Sequence, residues 1–392
     1  MLLISKSNKL LVFLLVLSYL FSFLSITTAN KLDFKLKSES AVLMDFNSGK
    51  IIYQKNAHKK LPPASITKIM TMLLIMESIE EGRIKLTDKI IVSEHAANMG
   101  GSQIWLEVGE EMKVEELLKA VAIVSANDAC VAIAEHIYGT EEEFIVQMNQ
   151  RATELGMKDT KFYNTNGLPI KEEKIGNYTT AYDVALMTRE LVTHPKILDY
   201  TSRWIDHLRE GDSFLRNTNK LVRFYDGADG IKTGYTTEAG FCLSATAEKK
   251  GLRFISVIMK APSSQVRFNE SKKLLSSAFS IYRPFKVVKK DEVITKIKVF
   301  KGKKQQVEIV PNEELTISVL RGSEDNLLQR IILKKEVTAP LKKDEKLGQL
   351  FILKDEDEIG KVDLVAAERI RKANYFEILI NLWGDFINNL IE

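Results

Sequence analysis

The chain has 392 residues, 45% of them hydrophobic and 28% charged, which gives apolar material for a sizeable core and room for two domains. A formal net charge of +4 over this length excludes the basic excess expected of a nucleic-acid-binding chain, and no stretch is rich enough in Gly or Ser to be a disordered linker. The five histidines show none of the paired helical spacings of a zinc peptidase, so neither a metal nor a cofactor is expected.

Residues 1–29 place Lys6 and Lys9 ahead of an apolar run from Leu10 to Leu24 and end in Thr27-Thr28-Ala29, the pattern of a secretory signal peptide. Retention of that run as a membrane anchor is the alternative. In either case the remainder is exported. An exported chain can form disulfides, but Cys130 falls on an apolar helix and Cys242 in a strand-like run, where small buried thiols are the usual occupants.

From Ala41, two short strands flank a turn at Asn47-Ser48-Gly49-Lys50. Pro62-Pro63 then leads into Ala64-Ser65-Ile66-Thr67-Lys68, read as a helix starting at Ser65, with Met70, Leu73, Leu74 and Met76 continuing an apolar face. Helices are expected over 113–124, 126–137, 141–155 and 179–193. A hairpin follows, with strands at 239–248 and 251–260 turning at Lys249-Lys250-Gly251, and then a helix from Ser264 to Tyr282. Beyond Pro284 the composition changes to short Val/Ile/Leu runs separated by charged turns, the pattern of a small all-β domain.

A spacing of three puts the Lys68 amine on the same face as the Ser65 hydroxyl, where a neutral amine could take the serine proton. This is the one Ser-x-x-Lys in the sequence, and Ser125-Ala126-Asn127 and Lys232-Thr233-Gly234 follow it in order. The three motifs together resemble those of β-lactamases and penicillin-binding proteins. The chain as a whole resembles the low-molecular-weight penicillin-binding proteins, serine D-alanyl-D-alanine carboxypeptidases of bacterial walls. The likeness covers roughly residues 35–285. It includes Lys55-Asn56-Ala57-His58, Gly101-Ser102, Gly109-Glu110, the run Ser125 to Cys130, Asn166-Gly167-Leu168-Pro169 and Asn217-Thr218-Asn219-Lys220-Leu221.

That resemblance implies an α+β fold. A β-lactamase/transpeptidase-like catalytic domain over 30–285 would have a five-stranded antiparallel sheet against a helical subdomain, followed by an all-β domain over 286–367 and a helix over 368–392. It also implies roles. Ser65 attacks the carbonyl of a D-Ala-D-Ala peptide bond with Lys68 as general base, an effect worth about 10²–10⁴ in rate. Ser125 relays a proton to the leaving amine, Asn127 holds the substrate amide, and Lys232 and Thr233 take the terminal carboxylate, with Lys232 also keeping Lys68 neutral. Gly234 lets its strand approach the substrate, and the backbone N–H groups of Ser65 and Tyr235 hold the oxyanion. Asp226 and Asp229 either fix the loop before Lys232 or serve as turn residues.

The expected partners are peptidoglycan stem peptides ending in D-Ala-D-Ala and, as covalent inhibitors, β-lactam antibiotics. A class A-like β-lactamase, with Glu172 or Glu173 activating water, and a catalytically silent wall-binding protein are the alternatives. Between Tyr375 and Ile391 the residues Tyr375, Phe376, Leu379, Leu382, Trp383, Phe386, Ile387 and Leu390 share one helical face opposite Glu377, Asn381, Asp385 and Asn388. This segment is expected to lie in the membrane interface, holding the exported protein peripherally on the outer face of the cytoplasmic membrane. Packing of that helix on the β domain is the alternative.

Overall fold

The computed structural model describes residues 34–169, 176–321, 327–354 and 356–378. The signal sequence, Glu172, Glu173 and the C-terminal segment from residue 379 onward lie outside the described residues. The chain divides into Met1–Lys35 and Leu36–Glu392, and the architecture below is that of the second unit.

The unit begins with two antiparallel strands, β1 (Ser40–Asp45) and β2 (Ile51–Lys55), with Ala41 opposite Lys55. Every residue of β1 is buried, so it is covered on both faces. The turn between them is closed by Asp45, whose Oδ1 accepts the Ser48 N–H at 2.8 Å and its hydroxyl at 2.6 Å.

A helical block follows, made of α1 (Lys68–Glu80), α2 (Val114–Ile123), α3 (Asn127–Tyr138), α4 (Glu141–Glu154) and α5 (Ala181–Val192). Helix α1 differs from the one-sided helix expected from sequence. All residues from Lys68 to Met76 are buried, because α2, α3, α4 and α5 surround it. Helices α4 and α5 start where hydroxyl residues can cap them: Thr140 accepts the Glu143 N–H and Thr180 the Asp183 N–H.

The sheet then resumes with β3 (Ala228–Thr236), β4 (Gly240–Lys249) and β5 (Leu252–Ala261), and α6 (Ser264–Ile281) covers β4 and β5. The order is β2-β1-β5-β4-β3, all antiparallel, so the first and last strands of the region pair and the helices are an insertion between them. The hairpin and its closing helix fall within a residue or two of their expected limits. Strand β3 is left at the edge, beside the helical block. Cys130 and Cys242 are free buried thiols.

The remaining described chain is all β apart from its last turn. Strand β6 (Tyr282–Val288) pairs with β9 (Leu315–Leu320). The strands β7 (Thr295–Phe300), β8 (Gln306–Pro311), β10 (Leu327–Leu333), β11 (Val337–Thr338), β12 (Lys346–Lys354) and β13 (Asp357–Ala366) form a sheet in the order β10-β12-β13-β8-β7-β11. Ile309, Ile317, Leu350 and Leu364 are at its core. It meets the first region at the β1–β2 turn, where Asn47 Nδ2 donates to Thr316 O at 2.7 Å and the Ser318 hydroxyl donates to Asp45 Oδ2. Residues 375–378 are helical. Asn374 caps them reciprocally, its Oδ1 accepting the Glu377 N–H while its own N–H donates to the Glu377 carboxylate. Among the described residues no helix is long and apolar enough to cross a membrane.

Candidate active site

Ser65 stands in a 3₁₀ turn, Ala64–Thr67, and α1 begins only at Lys68. The expectation of an α-helix starting at the serine is corrected accordingly. The tighter turn serves the chemistry, since three residues per turn bring positions i and i+3 directly into line. Ala64 has φ +48°, and Gly167 packs so closely on it that a Cβ at Gly167 would lie 1.9 Å from Ala64 O. Any side chain at 167 would displace the serine turn.

The Lys68 side chain is fully buried, with its Nζ 3.0 Å from Ser65 Oγ, 2.5 Å from Asn127 Oδ1 and 3.0 Å from the Asn166 carbonyl. An ammonium can donate to all three. A neutral amine has two hydrogens and one lone pair, so the two acceptors that have no proton to give, Asn127 Oδ1 and Asn166 O, take the hydrogens. The lone pair is then left facing the Ser65 hydroxyl. Burial pushes the Lys68 amine down to about 8, against the opposing pull of Asp128 and Cys130.

Asn127 opens α3 and is occupied at both ends: Oδ1 accepts from Lys68, and Nδ2 donates to Gly100 O at 2.6 Å. One Nδ2 hydrogen remains for a substrate. Next to it, the buried Asp128 accepts the N–H groups of Ile104, Leu106 and Ala129, which ties segment 104–106 to the start of α3. Ser125, at φ +69°, is buried, and its hydroxyl has no hydrogen-bond partner among the described residues.

On the facing edge, β3 carries Lys232, Thr233, Gly234 and Tyr235. The strand runs close to the serine turn, and a Cβ at Gly234 would fall 2.7 Å from Pro63 O and 3.2 Å from Ile66 N. Lys232 is buried, and its Nζ donates to Thr233 O at 3.2 Å. Its amine lies well below the usual lysine range, first from burial and then from the repulsion of Lys68 and Arg267. The sequence reading assigned Lys232 to hold Lys68 neutral; burial is the largest cause at both amines, and the repulsion between them adds to it. The Thr233 hydroxyl donates to Thr218 Oγ1 at 2.8 Å.

Behind β3, the Arg267 guanidinium from α6 donates to Gly234 O at 3.0 Å and Cys242 O at 3.1 Å, fixing the edge strand from its far side. Of the two aspartates before the strand, Asp229 is structural. It accepts from Arg253 Nη1 at 2.5 Å and from the Thr246 hydroxyl, and its carbonyl accepts from Thr201 Oγ1 at 2.7 Å. Asp226 is exposed and pairs with Lys249 at 3.3 Å.

The structure thus gathers Ser65, Lys68 and Asn127 into one hydrogen-bonded group and brings Lys232 close enough to feel the Lys68 charge. Asn166, Asp128, Thr218 and Arg267 were not assigned tasks from sequence. Asn166, Asp128 and Thr218 do lie in stretches that carried the resemblance, which is the one signal that pointed to them. Among the described residues no His/Cys/Asp/Glu cluster could hold a metal ion.

A serine turn, a buried lysine and an edge strand carrying Lys-Thr-Gly define a serine acyl-transfer enzyme of the penicillin-binding type. The family model for D-alanyl-D-alanine carboxypeptidase matches residues 26–263, and that for the penicillin-binding protein 5 C-terminal domain matches 282–372. D-alanyl-D-alanine carboxypeptidase DacF of Bacillus subtilis is 44% identical over 354 residues, covering 89% of this chain and 90% of the relative. Penicillin binding protein 5 of Haemophilus influenzae superposes with a TM-score of 0.66 at 29% identity, covering 87% of this chain and 99% of that one. Penicillin-binding protein D2 of Listeria monocytogenes, in its ampicillin-bound form, superposes with a TM-score of 0.58 at 30% identity, covering 63% and 99%. The chain belongs to the D-alanyl-D-alanine carboxypeptidase family. Its activity is the hydrolytic removal of a terminal D-alanine in cell-wall metabolism, and covalent penicillin binding is typical of the family.

Proposed function

We infer that Ser65 is the nucleophile and Lys68 its general base, acting on peptidoglycan stem peptides that end in D-Ala-D-Ala. The observation that carries this reading is the lone pair a neutral Lys68 turns toward Ser65 Oγ at 3.0 Å while two carbonyl-type acceptors hold its hydrogens. In acylation the Ser65 Oγ–carbon bond forms and the Oγ proton passes to Lys68 Nζ. The peptide C–N bond breaks, and the leaving amine takes a proton through the Ser125 hydroxyl, which has no hydrogen-bond partner among the described residues. Water then cleaves the acyl-enzyme.

The free carboxylate of the substrate binds Lys232 and Thr233. A substrate carboxylate favours the charged form of Lys232, which burial otherwise disfavours, and that charge in turn disfavours protonation of Lys68. Asn127 gives its remaining Nδ2 hydrogen to the substrate backbone. Gly234 admits the substrate beside β3, and the N–H groups of Ser65 and Tyr235 hold the oxyanion, each such donor being worth about 3–4 kcal/mol of barrier. β-Lactams acylate Ser65 by the same route.

The catalytic domain spans 30–285 and the β domain 286–367. The signal sequence is cleaved near Ala29, and the segment 368–392 holds the mature protein peripherally on the outer face of the cytoplasmic membrane. Supporting this, the capped start of that segment presents Tyr375 and Phe376 at 73% and 75% exposure. Peptide mapping after labelling with a fluorescent penicillin tests the site: the adduct is expected on Ser65, and an adduct on another residue overturns the assignment. Truncation at about Lys372 should release an active enzyme, and a truncated, signal-cleaved form that still sediments with membranes refutes the anchor.

A further inference from the structure

The helical block buries a carboxylate that the chemistry at Ser65 does not use. Glu141 opens α4, where the Thr140 hydroxyl caps the helix and the positive end of its dipole favours a negative charge. The residue is 7% exposed, and a carboxylate that deep is costly unless donors surround it, so its partners decide its role. Oε1 accepts both donors of one residue, the Thr165 N–H at 2.9 Å and the Thr165 hydroxyl at 2.7 Å. Oε2 lies 3.7 Å from Nε2 of the exposed His95, whose Nδ1 meets Glu135 at 2.9 Å.

Thr165 directly precedes Asn166, whose carbonyl accepts from Lys68 Nζ at 3.0 Å. It is fully buried and gripped at both ends of its backbone, since its N–H is on Glu141 and its carbonyl accepts the Thr71 hydroxyl of α1 at 2.6 Å. Farther along α4, Asn149 exchanges two bonds with the Phe162 backbone at 2.9 and 3.0 Å, so that helix is the rail on which segment 162–165 lies. Beyond the Asn166 carbonyl, Asn164 Oδ1 accepts the Gly167 N–H at 2.7 Å. Without the Glu141 carboxylate, two buried donors of Thr165 would lose their acceptor, and the segment would shift to pair them. Such a shift carries Asn166 O away from Lys68.

Resting on the reading of Lys68 as general base, we propose that Glu141 is a positioning residue for that base: through Thr165 it holds the Asn166 carbonyl where it takes one hydrogen of the neutral Lys68 amine. Asn127 Oδ1 takes the other, and the lone pair is left on the Ser65 hydroxyl. Glu141 touches neither substrate nor the reacting atoms. Its effect falls on the step in which Lys68 accepts the Ser65 proton, and not on the binding of the ligand beside β3.

The test resolves Ser65 acylation by penicillin, in the full protein, into a binding constant and a limiting rate for Glu141→Ala, Glu141→Gln and Thr165→Val. In Glu141→Ala the limiting rate should fall about ten- to a hundredfold, the range expected of a small misplacement at the base, while the binding constant stays within about twofold. Glutamine keeps an oxygen that can accept both Thr165 donors, so Glu141→Gln should recover all but about threefold of that loss. Thr165→Val removes one of the two bonds and should fall between them. An unchanged limiting rate in folded Glu141→Ala, a Glu141→Gln rate as low as that of the alanine variant, or a loss confined to the binding constant overturns the positioning role and leaves Lys68 as the base. Should Glu141→Ala not fold, an unchanged limiting rate in Thr165→Val overturns it instead. Acylation of Lys68→Ala at the wild-type rate overturns the base reading and the positioning role with it.

Discussion

The two halves of the described chain treat polar groups in opposite ways. Between Leu36 and Ile281 the interior holds Lys68, Asp128, Glu141, Lys232 and Arg267, whereas residues 282–378 bury only Thr316 among their polar side chains. Taking an ionisable group out of water is costly unless it is paired or neutralised, so a fold selected for stability alone would avoid the first pattern and keep the second. The cleft accepts that cost because desolvation is what moves Lys68 toward neutrality. The β region, with an apolar core and exposed ion pairs, carries no such requirement.

The contrast breaks most sharply at the serine. Ser65→Ala should lower D-alanine release by about 10⁴-fold or more and abolish penicillin labelling, and Lys68→Ala should come close to it. Retained labelling of the alanine variant would end the comparison, since the buried lysine would then serve no nucleophile. Smaller, but still large, is the effect expected at Lys232. Lys232→Ala should slow acylation by peptide and penicillin about 10²-fold, while Lys232→Arg keeps part of the rate if charge outweighs shape. Wild-type kinetics for the alanine variant would remove Lys232 from the site.

The β region provides the complementary case. Leu350→Ala, at a fully buried core position, should cost about 2–5 kcal/mol in denaturant unfolding while kcat per folded molecule stays unchanged. A fall in kcat matching that at Lys232 would show that the two regions are not separable in function.

Elements with strong periodicity were legible in the sequence. The β4–β5 hairpin, the helix after it and helices α2 to α5 stand close to where apolar spacing placed them. The Ser65–Lys68 pairing was legible too, because it depends on side chains at a fixed separation. What escaped sequence reasoning depends on backbone or distant partners. The Asn166 carbonyl that orients Lys68 has no side-chain signature, and Arg267 reaches Gly234 O from a helix across the sheet. The 3₁₀ turn at Ser65 was hidden for a related reason. Its residues suit an α-helix, and it is the packing of Gly167 on Ala64 O that accompanies the tighter geometry. The full burial of α1 is likewise a property of the helices around it, which no single apolar stripe could announce.

The central claim is that burial brings Lys68 near neutrality in the free enzyme. The pH dependence of the second-order rate of Ser65 acylation by penicillin, which reports groups of the free enzyme, tests it most directly. With the folded amine at about 8, the neutral base gains population as pH rises, so the rate should climb through a limb near pH 8 and level off above it. A rate flat from pH 6 to pH 10, or a limb displaced to the ordinary lysine range near 10.5, would contradict the account.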